Sequence, residues 1–270
     1  MNLILLEPGE VIDGGPGNPG HSIKLSGARA HHLLNVLRVA PGHHVRVGIL
    51  DGPAGAGTVQ SIGDNTVDLR CTFDVMVPSR PRVDLLLALP RPKVMRRLWA
   101  QIAALGVGQI ILTNAERVER NYFDTHVLTP ECYRPLLIEG LQQARDTRLP
   151  AVSIHKQFKV LIEDDLDGLF PAGAAGPGGP GRPGRPGRQR LVADPAARKP
   201  AAAVVRESIE QRILLAVGPE GGWNAFETAL LEAHGFEAFG MGPRTLRTDT
   251  ACVALLAIVL DAVKSGPARV

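Results

Sequence analysis

The stretch Ile213-Leu214-Leu215-Ala216-Val217-Gly218-Pro219-Glu220-Gly221-Gly222-Trp223-Asn224 decides how the rest of the chain is read. Five consecutive apolar residues are what a strand buried on both faces presents, and such strands belong to parallel sheets. A turn holding three glycines and a proline follows at once. Asn224 then offers an N-cap, with Glu227 three residues on, so a helix is predicted to open there. A strand-to-helix turn in an α/β sheet lies at the carboxyl end of the strand, where such sheets bind ligands. Paired glycines also let backbone groups approach a ligand closely. On the residues alone the turn is either a ligand turn or simply a tight connection.

Working outward, the pattern of strand alternating with helix extends back to residue 81. Val83–Leu89 is a second apolar run, broken only by Asp84, Lys93–Leu105 carries Leu98, Ile102 and Leu105 at helical spacing, and Gln109–Thr113 reads as the next strand. Glu131–Ala144 reads as a helix with Pro135 in its first turns, Leu191–Ala193 as a strand, and Ala225–His234 and Ala251–Val263 as helices. Alternation of this kind predicts an α/β domain with a mainly parallel sheet over residues 81–270. Residues 1–80 differ. Short apolar segments at Leu3–Leu6, Val45–Leu50, Gly57–Ile62 and Thr66–Phe73 alternate with turn residues, and one helix is expected at Ala28–Val39, before Pro41-Gly42. Several short strands with one helix suggest a small β-barrel. Residues 171–189 are a Gly/Pro-rich insert that offers neither period nor core and reads as a disordered surface loop. Arginines 182, 185, 188 and 190, in and beside it, add at most nonspecific affinity for RNA.

A formal charge of +3 permits a nucleic-acid partner without demanding one. Cys71, Cys132 and Cys252 lie far apart, with no spacing suited to zinc or a redox pair, so no metal is expected. The start of the chain lacks the features of a signal peptide, and the longest apolar run, Ala251–Leu260, is too short to span a bilayer. A cytoplasmic protein without a membrane partner is the expectation. His31-His32 and His43-His44 are adjacent pairs whose side chains diverge on a helix, and they read as surface or packing residues.

A second turn, Met241-Gly242-Pro243-Arg244-Thr245-Leu246-Arg247-Thr248-Asp249-Thr250-Ala251, leads into the last apolar helix. Asp249 suits a helix start and Thr248 or Thr250 suits a cap. Arg244 and Arg247 beside such a turn either bind a phosphate or developing anion or are ordinary ion-paired surface residues. Neither turn is a dinucleotide fingerprint or a P-loop.

Taken together, GPEGGW at 218–223 and MGPRTLRTDTA at 241–251 resemble the two late motifs of the RsmE family of SPOUT-class RNA methyltransferases. AHHLLNVLRVAPGHHV at 30–45, the stretch from Arg91 to Arg120 with its LGV, and QQARDTRLP at 142–150 resemble that family's earlier motifs. The resemblance covers most of the chain outside the insert. It departs at Ala104, where the family often has glutamate, and at Gln142 and Asp146, which stand at the first and last positions of an E-Q-x-x-R motif.

The resemblance implies a PUA-like β-barrel RNA-binding domain over 1–80 and a SPOUT domain over 81–270 with a C-terminal trefoil knot and a homodimer. It implies S-adenosylmethionine as cofactor, held by Leu215, Val217, Gly218, Glu220, Gly221, Gly222, Met241, Gly242, Leu246 and Arg247, with the segment after Leu191–Ala193 as a third wall. The reaction it implies is methylation of uridine N3 in 16S ribosomal RNA or the small ribosomal subunit. Arg247 is then the candidate donor to a uridine oxygen, Glu220 the candidate base and Gln143 the residue that orients the base. Arg38, Arg96, Arg97, Arg117, Arg120 and Arg148 are candidate RNA contacts, mainly to phosphate. Two other readings stand beside it: a SPOUT enzyme acting on a ribose 2′-oxygen or on tRNA, and a non-catalytic RNA-binding assembly factor.

Overall fold

The computed structural model describes residues 2–13, 20–170, 188–205, 212–242, 244 and 246–264. Internal contacts divide the chain into two units, Met1–Arg80 with Arg134–Leu149, and Pro81–Tyr133 with Pro150–Val270.

In the first unit, β1 (Ile4–Leu6), β2 (Ile12–Asp13) and β3 (His21–Leu25) precede a short helix α1 (Gly27–His31). The helix continues as a π-turn over His32–Val36, and β4 (His44–Ile49), β5 (Ala54–Ile62) and β6 (Val67–Phe73) follow. They form one sheet in the order β1-β4-β5-β6-β3-β2. Only the β1–β4 pair is parallel, and the sheet curls into a half-barrel. The concave side holds Ile4, Leu6, Ile23, Leu25, Leu33, Val47, Val59, Val67 and Leu69. The expected helix over Ala28–Val39 is shorter. It widens into the π-turn and stops before Arg38, whose φ of 50° is left-handed and ends the helix. The connection between β4 and β5 is short, because Ala54 already begins β5. Glu10 and Arg29 form an ion pair, and the Arg29 guanidinium draws the Glu10 carboxyl below its ordinary range.

The second unit runs β7 (Val83–Ala88), α2 (Pro92–Leu105), β8 (Val107–Thr113), α3 (Pro130–Ala144, whose residues from Arg134 on count with the first unit), β9 (Ala151–His155), a helical stretch of α4 (Phe158–Val160), a π-turn and α5 (Leu166–Leu169), then β10 (Arg188–Ala193), α6 (Ala201–Val204), β11 (Arg212–Val217), α7 (Ala225–Ala233), β12 (Phe236–Phe239) and α8 (Thr248–Lys264). The six strands lie in the order β12-β10-β11-β7-β8-β9 and every pairing is parallel, as the apolar runs predicted. Helices cover both faces. α2 and α8 pack together against β7, β8 and β11. Phe158, Leu161, Ile162, Leu166 and Phe170 cover Leu86, Ile111, Leu214 and Ala216 on the other side. The one acid inside β7, Asp84, is 1% exposed and is met by the Arg212 guanidinium at 2.5 Å.

β9, the helical stretch after it and β12 are elements that the apolar pattern did not disclose. β10 also starts three residues earlier than read, which takes Arg188 out of the insert and puts it, with Arg190, in the strand. Arg190 is buried and donates to the carbonyls of Phe170 and His234 and to Asp167. Arg182 and Arg185 lie outside the described residues.

Candidate active site

Strands β12, β10 and β11 are neighbours, and the loops leaving their carboxyl ends enclose one cavity of about 390 Å³. Its walls are Val192–Ala196 after β10, Val217–Trp223 after β11 and Phe239–Gly242 after β12, closed by Arg244, Leu246, Thr248, Ala251 and Leu255 at the start of α8. A space of this size is within the usual range of about 300–1,000 Å³ for pockets that take a small organic ligand.

Each turn is fixed by its own chemistry. Gly222 has φ +73°, a left-handed conformation that a side chain would strain. A Cβ on Gly240 would lie 2.3 Å from the Ala197 carbonyl oxygen, so only glycine lets these two backbone segments meet. Beyond the first turn, Asn224 and Glu227 form the predicted capping box: Asn224 Oδ1 accepts the Glu227 N–H and Glu227 Oε2 accepts the Asn224 N–H, both at 2.8 Å. The other oxygen of buried Glu227 accepts the Glu116 N–H at 2.7 Å, tying the loop after β8 to the glycine turn. Arg117, on that same loop, donates to the carbonyls of Gly221 and Gly222.

The lining is suited to a ligand that is apolar over much of its surface and polar at a few points. Val192, Val217, Phe239, Leu246 and Leu255 give the apolar walls. Two buried polar atoms on the lining, Trp223 Nε1 and Thr248 Oγ1, have no hydrogen-bond partner among the described residues. A buried polar group left unpaired costs about 1–3 kcal/mol, so a ligand that satisfied both would recover it. An adenosine-and-methionine conjugate fits this donor set: apolar walls for the ring, free donors and turn backbone for its polar edges.

Val217, Gly218, Glu220, Gly221, Gly222, Met241, Gly242 and Leu246 stand around this one cavity, as does the segment after β10. Leu215 does not; it lies fully buried within β11. Arg247 is exposed and off the lining, with its carbonyl accepting the Ala251 N–H. Pro243 and Thr245 of the second turn lie outside the described residues. Gln143 is exposed near the end of α3 in the first unit, where its carbonyl accepts Asn2 Nδ2 at 3.1 Å.

Among the arginines, Arg96 and Arg120 are exposed in the second unit and Arg38 in the first. Arg97 is paired with Asp249 at 3.0 Å. The Thr250 backbone N–H, joined by Arg97, holds the Asp249 carboxyl below its usual range. Arg148 is largely buried in the first unit and donates to the Asp51 carbonyl at 2.9 Å, which leaves little of it for a phosphate.

The residues that sequence reasoning passed over are Trp223 and Thr248 as unspent donors, Gly240 as the close-approach glycine, and Arg91, whose Nε lies 3.5 Å from Glu220 Oε2. Trp223 and Thr248 were in view within their motifs. No local pattern could pair Arg91 with Glu220.

A parallel sheet whose strand-end loops close a small-molecule pocket, with arginines on the adjoining loops, agrees with what the family comparison finds: the chain belongs to the RNA methyltransferase domain family, whose model matches residues 78–260. The RNA methyltransferase PUA domain matches residues 25–70. Among individual relatives, ribosomal RNA small subunit methyltransferase E of Treponema pallidum is 28% identical over 96% of this chain and 91% of that protein. Ribosomal RNA small subunit methyltransferase E 1 of Borreliella burgdorferi is 24% identical over 94% and 95%. In fold, the chain is similar to the crystal structure of a ribosomal RNA small subunit methyltransferase E from Neisseria gonorrhoeae bound to S-adenosylmethionine. The TM-score is 0.70 at 20% identity, covering 97% of this chain and 98% of that one.

Proposed function

We propose that this protein methylates N3 of a uridine in small-subunit (16S) ribosomal RNA, using S-adenosylmethionine. The observation that carries the reading is the cavity between the Gly218–Gly222 and Gly240–Gly242 turns, with its two unspent buried donors, in a chain of the RNA methyltransferase family. The names of the relatives support the substrate.

The bound cofactor supplies an electrophilic methyl group and retains on sulfur the electron pair of the broken carbon–sulfur bond. The protein's part is to hold and orient. Val217, Gly218, Gly221, Gly222, Met241, Gly242 and Leu246 form the cofactor cradle, with Trp223 Nε1 and Thr248 Oγ1 donating to its polar edges. Holding the base against the methyl group in line contributes roughly 7–11 kcal/mol. N3 of uridine carries a weakly acidic proton. Glu220, at the cavity wall, accepts it, and Arg247 donates to a uridine oxygen. Arg38, Arg96, Arg97, Arg117 and Arg120 are the proposed RNA contacts, with the target base lifted out of its stack; Arg148, held by the Asp51 carbonyl, is left out of them. The C-terminal trefoil knot, the homodimer and a cytoplasmic location belong to the same proposal.

The test is transfer from labelled S-adenosylmethionine to small ribosomal subunits that lack their own modification, with the product nucleoside identified by mass spectrometry. The expected product is N3-methyluridine at one site, absent with Gly221→Val. Label on ribose or on tRNA would reject the substrate. RNA binding without label would reject the enzyme.

A further inference from the structure

Three charged side chains from three different strand ends meet at the rim of the cavity. Arg91 leaves from the N-cap of α2, directly after β7, where its carbonyl accepts the Val94 and Met95 N–H groups and fixes the backbone. Glu220 leaves from the turn after β11 and lines the cavity. Arg117 leaves from the loop after β8 and lies across Gly221 and Gly222. Arg91 Nε is 3.5 Å from Glu220 Oε2, and the two side chains are 64% and 45% exposed. An ion pair this open contributes little to stability. Glu220, on the cavity lining, thus has one guanidinium against its carboxylate, and a second guanidinium is bound to the backbone of the two residues that follow it.

We propose that Arg91, Glu220 and Arg117 form the edge that reads the target uracil, and that Arg91 is a catalytic residue stabilising the anion formed at N3. The proposal rests on the uridine-N3 reading and names the groups that would enforce it. A uracil edge presents acceptor, donor, acceptor: O4, N3–H, O2. Guanidinium donors on either side of a carboxylate acceptor are its complement. A cytosine edge would set an unprotonated N3 against the carboxylate and an amino group against a guanidinium, so the same triad repels it. In the reaction the N3 proton passes to the Glu220 carboxylate and on to water, and this exposed side chain then swings off the N3 axis, because the methyl carbon must approach N3 along the line that the proton leaves. The electron pair left on N3 then makes the bond to the methyl carbon. Between those events negative charge spreads onto O4 and O2, where donors already in place stabilise it.

Tyr122 and Glu119 share this rim. The Tyr122 hydroxyl donates to Glu119 at 2.9 Å, and loss of surrounding water together with Glu119 pushes its ionisation upward. Any pH profile of the site must therefore be controlled for this tyrosine.

The experiment is single-turnover methyl transfer by wild type, Arg91→Gln and Arg91→Lys, with cofactor and RNA saturating, across neutral to alkaline pH. Cofactor and RNA affinities are measured separately by calorimetry and filter binding. Arg91→Gln is expected to slow transfer by about 10²–10³-fold at neutral pH, with both affinities within about twofold. The deficit shrinks as alkali removes the N3 proton unaided. It also shrinks on RNA carrying 5-fluorouridine at the target, whose N3–H is more acidic. Arg91→Lys recovers part of the rate, and Tyr122→Phe leaves the pH-dependent gap between Arg91→Gln and wild type in place. An unchanged rate in Arg91→Gln, or a loss equal at every pH and on both bases, would overturn the proposal. So would a loss explained by weakened cofactor binding. A wild type that makes N3-methyluridine while Arg91→Gln behaves this way rejects the triad and keeps the proposed function; a wild type that makes none rejects both.

Discussion

β6 and β7 follow one another along the chain and are built differently. In β6, Val67, Leu69 and Cys71 are buried while Asp68, Arg70 and Thr72 are not, the alternation of a sheet with one face on a core. In β7 each of the six residues is buried, because helices cover both faces of the parallel sheet. The difference explains where each unit can carry a charge. The first unit puts its ionic groups on the outer face of its strands. The covered strands of the second cannot, so the one acid of β7, Asp84, is locked to Arg212, and the unit's candidate functional groups are confined to strand ends.

That contrast is most open to attack at the buried pair. Burial pushes the Asp84 carboxyl up, against the pull of Arg212. Arg212→Ala leaves a buried acid in the sheet without its guanidinium, and chemical denaturation should show a loss of about 3–5 kcal/mol. A loss below about 1 kcal/mol, the worth of an exposed pair, would mean that water reaches β7. A leucine scan sharpens the comparison. Leu86→Ala and Leu87→Ala, on opposite faces of β7, should each cost about 2–5 kcal/mol. In β6, Leu69→Ala should cost the same range while its neighbour face, probed by Thr72→Ala, stays within about 0.5 kcal/mol. Equal costs at Leu69 and Thr72 would contradict the one-sided core.

The same contrast decides what was legible in the sequence. β7, β8 and β11 announce themselves by three or more apolar residues in a row, and α7 by Asn224 and Glu227 at capping-box spacing. β9 and β12 do not. They are the edge strands of the parallel sheet, partly exposed and interrupted by Ser153, His155 and Glu237, so the run is too broken to stand out. The candidate site divides in the same way. The glycine turns are local features and were readable as turns, and the family resemblance gave them a ligand. Thr248 read as a helix cap because that is a threonine's commonest use at such a position. Only the enclosing loops make its hydroxyl an unspent buried donor. Arg91 and Glu220 meet because β7 and β11 are adjacent in the sheet, a pairing that the order of residues does not carry.

The most direct test of the cavity as the methyl-donor site is calorimetric titration of wild type and Thr248→Val with S-adenosylmethionine, alongside thermal unfolding of both without ligand. Replacing a buried, unpaired hydroxyl by a methyl group removes a desolvation cost, so unliganded Thr248→Val is expected to be at least as stable as wild type. Its affinity should nevertheless fall about tenfold, since the hydrogen bond proposed between that hydroxyl and the cofactor could no longer form. Affinity unchanged by Thr248→Val, in a protein equally well folded, would contradict the assignment of this cavity.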